Sequence, residues 1–104
     1  MYRQGDVALV PVAALPENLV EVPRDKGRLV LAYGEVTGHA HVIDAPPEEA
    51  TLLTTAEGER FLRILVASHL VHEEHATIAI EPGLYRLPPQ VEWSDELEPR
   101  RVLD

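Results

Sequence analysis

The five histidines are the residues of this chain whose type and spacing suggest chemistry, and all of them fall between positions 39 and 75. GHAHVID, from Gly38 to Asp44, carries His39 and His41. SHLVHEEH, from Ser68 to His75, carries His69, His72 and His75, with Glu73 and Glu74 between the last two. On a β-strand, residues i and i+2 share a face, about 6.5 Å apart at Cα. His39 and His41 would then project side by side, and two such imidazoles reach one metal ion through bonds of about 2.0–2.1 Å. If HEEH forms a turn, His72 and His75 converge from one loop. His69 has the opposite strand parity to His72 and would need a bulge to join them. The expected ligand set is therefore His39, His41, His72 and His75. Glu73 and Glu74 are the candidate catalytic groups, either as general base on a metal-bound water or as partners orienting a ring.

The donor type bounds the metal. Imidazoles with carboxylate help suit zinc, iron(II), nickel, copper or manganese, and a chain without cysteine cannot build a thiolate site or a disulfide. Three or four histidines with an open position make a catalytic or sensing site, and four closed ligands make a structural one. Two alternative motifs fail on spacing. His72 and His75 are i and i+3, whereas the zinc-protease helix needs i and i+4. The run His39 to Ile43 lacks the third alternating histidine of a nucleotide-hydrolase triad.

The elements that must position these side chains read as short strands. Nine prolines and six glycines cut the chain, and no piece between them shows a long amphipathic helical stripe. Strands are expected at Asp6–Val12, Arg28–Tyr33, His39–Ile43, Thr51–Thr55, Arg60–Ala67, Ala76–Ile80 and Leu84–Leu87, with Leu19 and Val20 pairing at an edge. Arg24–Gly27 and Ala56–Glu59 are turns, and the segment Asp44 to Ala50 is a loop. Gly34 and Gly38 bracket a bend or bulge before the histidine strand. Pro82 and Gly83 fit the centre of a type II turn that would return Leu84–Leu87 as the partner of Ala76–Ile80. Ser94 is placed to cap a short C-terminal helical turn, which Pro99 would end early. Trp93 reads as a packing or interface anchor. The expected fold is all-β: a small β-barrel or sandwich of about seven short strands, forming a single domain over residues 1–104.

Two resemblances follow from these motifs. The β context with GEVTGHAH is similar to the cupin pattern, in which a His-x-His step follows a glycine and a glutamate and a distant histidine complete the site. Here the nearest glutamates, Glu48 and Glu49, come late and follow two prolines. More closely, the chain resembles a set of small bacterial and phage proteins without an assigned activity. They share an opening like YRQGDVALVPV, a middle like GEVTGHAHVI and an ending like HEEHATIAIEPGLYRLPPQVEW. That resemblance covers most of the chain and implies that the histidine steps belong to a family pattern. The chain departs from it near the end, at Pro99.

Composition narrows the partners. A formal net charge of −9 disfavours nucleic acid and anionic membranes, both of which are bound through Lys and Arg. The first ten residues read as neither a signal peptide nor a membrane span, so a cytoplasmic protein is expected. Three functions fit: a β protein that binds a divalent transition metal, a metal-dependent enzyme acting on a small molecule, and a phage or accessory assembly module. Exposed edges of short β domains favour a homo-oligomer.

Overall fold

The structure is a computed structural model that describes residues 1–34, 38–89, 91–93 and 99–101. These residues hold twelve strands and no helix, hence none long and apolar enough to cross a membrane. All pairings are antiparallel. One sheet has six strands: β1 (Tyr2–Gln4), β2 (Val7–Pro11), β10 (Gly83–Leu87), β7 (Arg60–Ile64), β6 (Ala50–Thr54) and β3 (Val20–Glu21), in that spatial order. The other runs β4 (Leu29–Tyr33), β5 (Ala40–Asp44), β8 (Ser68–Val71) and β9 (Ile78–Ile80). Among the described residues, β11 (Val91–Trp93) and β12 (Pro99–Arg101) pair only with each other. The all-β expectation holds in its sandwich form. The two main sheets remain separate, so the barrel alternative is set aside.

The core lies between these sheets: alternation along β2, β4 and β8 sends one apolar set inward, while β6 is buried along nearly its whole length. Val7 and Leu9 of β2, Leu52 of β6, and Leu62 and Ile64 of β7 enter it from the first sheet. Leu29 and Leu31 of β4, Ile43 of β5, Leu70 of β8 and Ile80 of β9 meet them from the second. Leu9, Leu62, Leu70 and Ile80 are fully buried, each contributing about 1.5–3 kcal/mol by the usual transfer scale. Arg60 ties the sheets together by donating from Nη1 to the Leu31 carbonyl at 2.6 Å, and its burial pushes the guanidinium pKa down.

Two expected elements change. The run 60–67 is not one strand: β7 ends at Ile64, Leu65 and Val66 form an exposed bend, and the chain enters the other sheet as β8. Val66 therefore does not share the core face of Leu62 and Ile64. Its carbonyl instead accepts the Ser68 hydroxyl at 2.7 Å, which holds the bend. The 76–87 hairpin also fails, because β9 pairs with β8 while β10 lies between β2 and β7. Pro82 and Gly83 mark a crossing between sheets, and Gly83 has φ +157°, far from the roughly +80° of a type II turn.

Other expectations hold locally. Asp25 and Arg28 exchange both backbone hydrogen bonds around Lys26 and Gly27, which have φ +53° and +83°. Val20 pairs with Thr54 at the sheet edge. β1 and the β11–β12 pair were not expected as strands. The helical turn expected from Ser94 lies outside the described residues, as does the side chain of Trp93, and Pro99 heads β12.

Candidate metal centre

Register brings the first two histidines together. β5 and β8 are aligned with Asp44 opposite His69, Ile43 opposite Leu70 and Val42 opposite Val71. The paired register ends at Val42 and Val71, and one residue beyond it on each segment the His41 and His72 rings lie with centroids 4.3 Å apart. Beyond β8 the chain bends through residues 73–75, and this swings His75 back over the pair. Its ring centroid lies 4.8 Å from that of His72 and 5.7 Å from that of His41. One ligand atom from each of His41, His72 and His75 falls within 4.8 Å of the other two. A tetrahedral site with imidazole bonds of 2.0–2.1 Å needs nitrogens about 3.3 Å apart. Metal binding would require the three rings to draw closer.

The cluster grades from inside to outside. His41 is 5% exposed, the His72 side chain is equally enclosed, and His75 lies at the surface. The His41 pKa is lowered from its ordinary 6.5, first by burial and then by the neighbouring His72 and His75, with Asp6 and Glu73 opposing. Its ring is therefore held in the neutral form that can ligate a metal.

Gln4 and Gly5 complete the surroundings, and neither was singled out in the sequence. Gln4 is 3% exposed at the end of the edge strand β1. Its Nε2 donates to the carbonyls of Leu70, at 3.0 Å, and Ala76, at 2.9 Å, while its Oε1 lies 2.8 Å from His41 Nδ1. Gly5 turns the chain into β2 with φ +57°, and a Cβ there would stand 2.8 Å from His75 Nε2. The available signal was the Gln-Gly-Asp step in front of a clear strand, but a glutamine near a terminus usually reads as a solvated polar residue.

The glutamates fasten the bend. Glu73 Oε2 accepts the Ala40 backbone N–H at 3.1 Å. Its pKa is lowered by its own backbone N–H first and by that of Ala40 second, outweighing desolvation, with His39 and His72 adding to the effect. A carboxylate stabilised in this way is a weak proton acceptor, and it suits tethering the loop to β5 better than proton transfer. Glu73 Oε2 also lies 3.9 Å from His72 Nε2. The Glu74 backbone N–H donates to His72 Nδ1 at 3.0 Å, so the neutral His72 ring carries its proton on Nε2.

The other two histidines stand apart from the three. His39 precedes β5, in the hairpin loop where its carbonyl accepts the Gly34 N–H at 2.8 Å. Its ring centroid is 5.9 Å from that of His72, and its Nδ1 is buried without a hydrogen bond among the described residues, 3.4 Å from Glu74 Oε1. His69 faces solvent on the outer side of β8, as its parity predicts without a bulge. Two grooves of about 250 and 460 Å³ lie elsewhere, along β3, β4 and β6, and no histidine lines either.

The chain belongs to the family described as "Domain of unknown function (DUF8820)", whose model matches residues 3–90. Gln4, Gly5 and all five histidines lie inside that span. Comparisons with curated proteins and with solved structures return no match.

Proposed function

We propose that this protein binds a divalent transition-metal ion through His41, His72 and His75. The observation that carries the reading is the approach of three imidazoles, one of them buried, to within 4.8 Å at their ligand atoms. Packing three rings this closely is unfavourable once they are protonated, whereas one cation shared among their lone pairs satisfies them together. Zinc, nickel, copper, iron(II) and manganese remain the candidate ions, with zinc, copper and nickel best suited to all-nitrogen donors. Binding has a local cost at His72. Its Nδ1 must either leave the Glu74 N–H and ligate directly, or take up the proton so that Nε2 can ligate.

Three protein ligands leave a fourth position for water or for His39. The His39 Nδ1, without a hydrogen-bond partner among the described residues and close to His72 and Glu74, supports its role as an adjustable outer donor. A catalytic role would use that fourth position, with Glu74, the more exposed of the two carboxylates, as the group facing a bound water.

The test is elemental analysis of untagged protein purified without chelators, followed by zinc titration of the stripped chain. Near-stoichiometric metal is expected in the wild type. A His41→Ala/His72→Ala variant should stay folded by circular dichroism and lose more than about 100-fold in affinity, beyond the loss typical of a supporting partner. A metal-free wild type that also fails to take up added zinc, nickel or copper overturns the reading.

A further inference from the structure

We propose that Gln4 is a positioning residue that commits His41 to presenting Nε2, and that the Gln4–Gly5 step is thus part of the same centre. The inference rests on the metal-binding reading for its consequence, though not for its geometry. A primary amide has one acceptor oxygen and two donor hydrogens. Both hydrogens of Gln4 Nε2 are spent on carbonyls, Leu70 at 3.0 Å and Ala76 at 2.9 Å, and carbonyls can only accept. The amide cannot flip without placing its oxygen against two other oxygens. Oε1 must therefore face His41 Nδ1, at 2.8 Å, and Nδ1 must be the donor. In the neutral ring the lone pair is then on Nε2.

Free histidine favours the opposite tautomer, with the proton on Nε2, so this arrangement is imposed by the fold. Its parts come from three places. β1 supplies the amide, β8 one carbonyl, and the chain leaving the HEEH bend the other. The contact joins the edge strand of the six-stranded sheet to the loop that carries His72 and His75, which links the positions of all three rings. Gly5 completes the step because its missing Cβ is the space that His75 Nε2 occupies.

The experiment is long-range 1H–15N correlation NMR of the metal-free protein, which distinguishes the two imidazole tautomers directly, together with zinc titration. Wild-type His41 is expected as the Nδ1–H form. Gln4→Leu should shift His41 toward Nε2–H and weaken zinc binding by about 10–100-fold, the usual loss for a partner behind a ligand. Gln4→Glu separates positioning from mere packing. It loses both carbonyl bonds and is destabilised, but its carboxylate still accepts from Nδ1, so the tautomer and most of the affinity should return.

Wild-type His41 in the Nε2–H form overturns the inference even if every variant fails to fold. So does a Gln4→Leu protein that keeps both tautomer and affinity. A wild type with the expected tautomer and no affinity for metal removes the metal-binding reading and leaves Gln4's placement of the proton intact.

Discussion

His69 and His72 are three residues apart on one short segment, yet their surroundings have nothing in common. His72 has a side chain only 5% exposed and packs against His41 and His75. His69 lies on the outer face of β8, opposite Asp44 and Ala79, in solvent. The difference is one of register and parity. The ladder that sets Val42 opposite Val71 ends one residue before His41 and His72, while an odd number of steps back along β8 turns His69 to the other face. Residue type is therefore a poor guide to a ligand here. Membership depends on which side of the four-stranded sheet a ring projects from and on whether edge strand β1 reaches it.

If β1 makes the difference, disturbing it should affect the inner cluster and leave His69 untouched. Gly5→Ala is expected to have the largest effect of the remaining tests. Its left-handed φ of +57° costs a side-chain-bearing residue about 1–2 kcal/mol. The new Cβ would also stand 2.8 Å from His75 Nε2, and the ring at the surface must move away. Urea unfolding should report the first effect. Zinc titration should report the second as a loss of about tenfold or more, the scale on which poorly held ligands weaken a site. Unchanged affinity in a folded Gly5→Ala protein would remove His75 from the ligand set.

A smaller effect is expected from pH. The folded-state pKa of His41 is below its ordinary 6.5, chiefly through burial. Between that lowered value and 6.5 the unfolded chain binds a proton that the folded chain does not. The His41 contribution to stability is therefore full above 6.5 and is lost as pH falls through that window. Metal-free protein should show a declining unfolding midpoint below about pH 6.5, and His41→Gln should flatten part of the decline. A variant with the wild-type slope would show that His41 is not held neutral by its surroundings.

The sequence made some of this legible and hid the rest for a physical reason. Turn chemistry at Asp25–Gly27 and the strand composition of β2, β4, β5 and β6 were visible because φ preference and β propensity are local. Sheet membership is not. A strand that leaves one sheet at Leu65–Val66 and enters the other at Ser68 keeps its apolar composition throughout, so the run reads as one element. Likewise, Pro82 and Gly83 suit a tight turn and a crossing equally well. At the site, the clustering of histidines could be seen, and the expected fold-back of HEEH is present. The partner of His41 was not visible, because Gln4 is distinguished only by where β1 lies against Leu70 and Ala76. That is a long-range fact, and nothing in the five residues around Gln4 encodes it.

The smallest effect should come from His69→Ala, and its smallness is informative. If the chain bound metal simply because it is rich in imidazole, removing any one ring of five would weaken binding by a similar factor. If the centre is set by the inner face of β5 and β8, His69→Ala should leave stoichiometry and zinc affinity unchanged. An exposed strand residue with no hydrogen bond to the cluster should also move stability by no more than about 0.5 kcal/mol. Paired zinc titrations of His69→Ala and His39→Ala then rank the two outlying rings. His39, near His72 and with an Nδ1 unsatisfied among the described residues, should show a measurable loss of affinity where His69 shows none. Equal losses in both would indicate a diffuse imidazole surface and would dissolve the distinction between the two faces of the sheet.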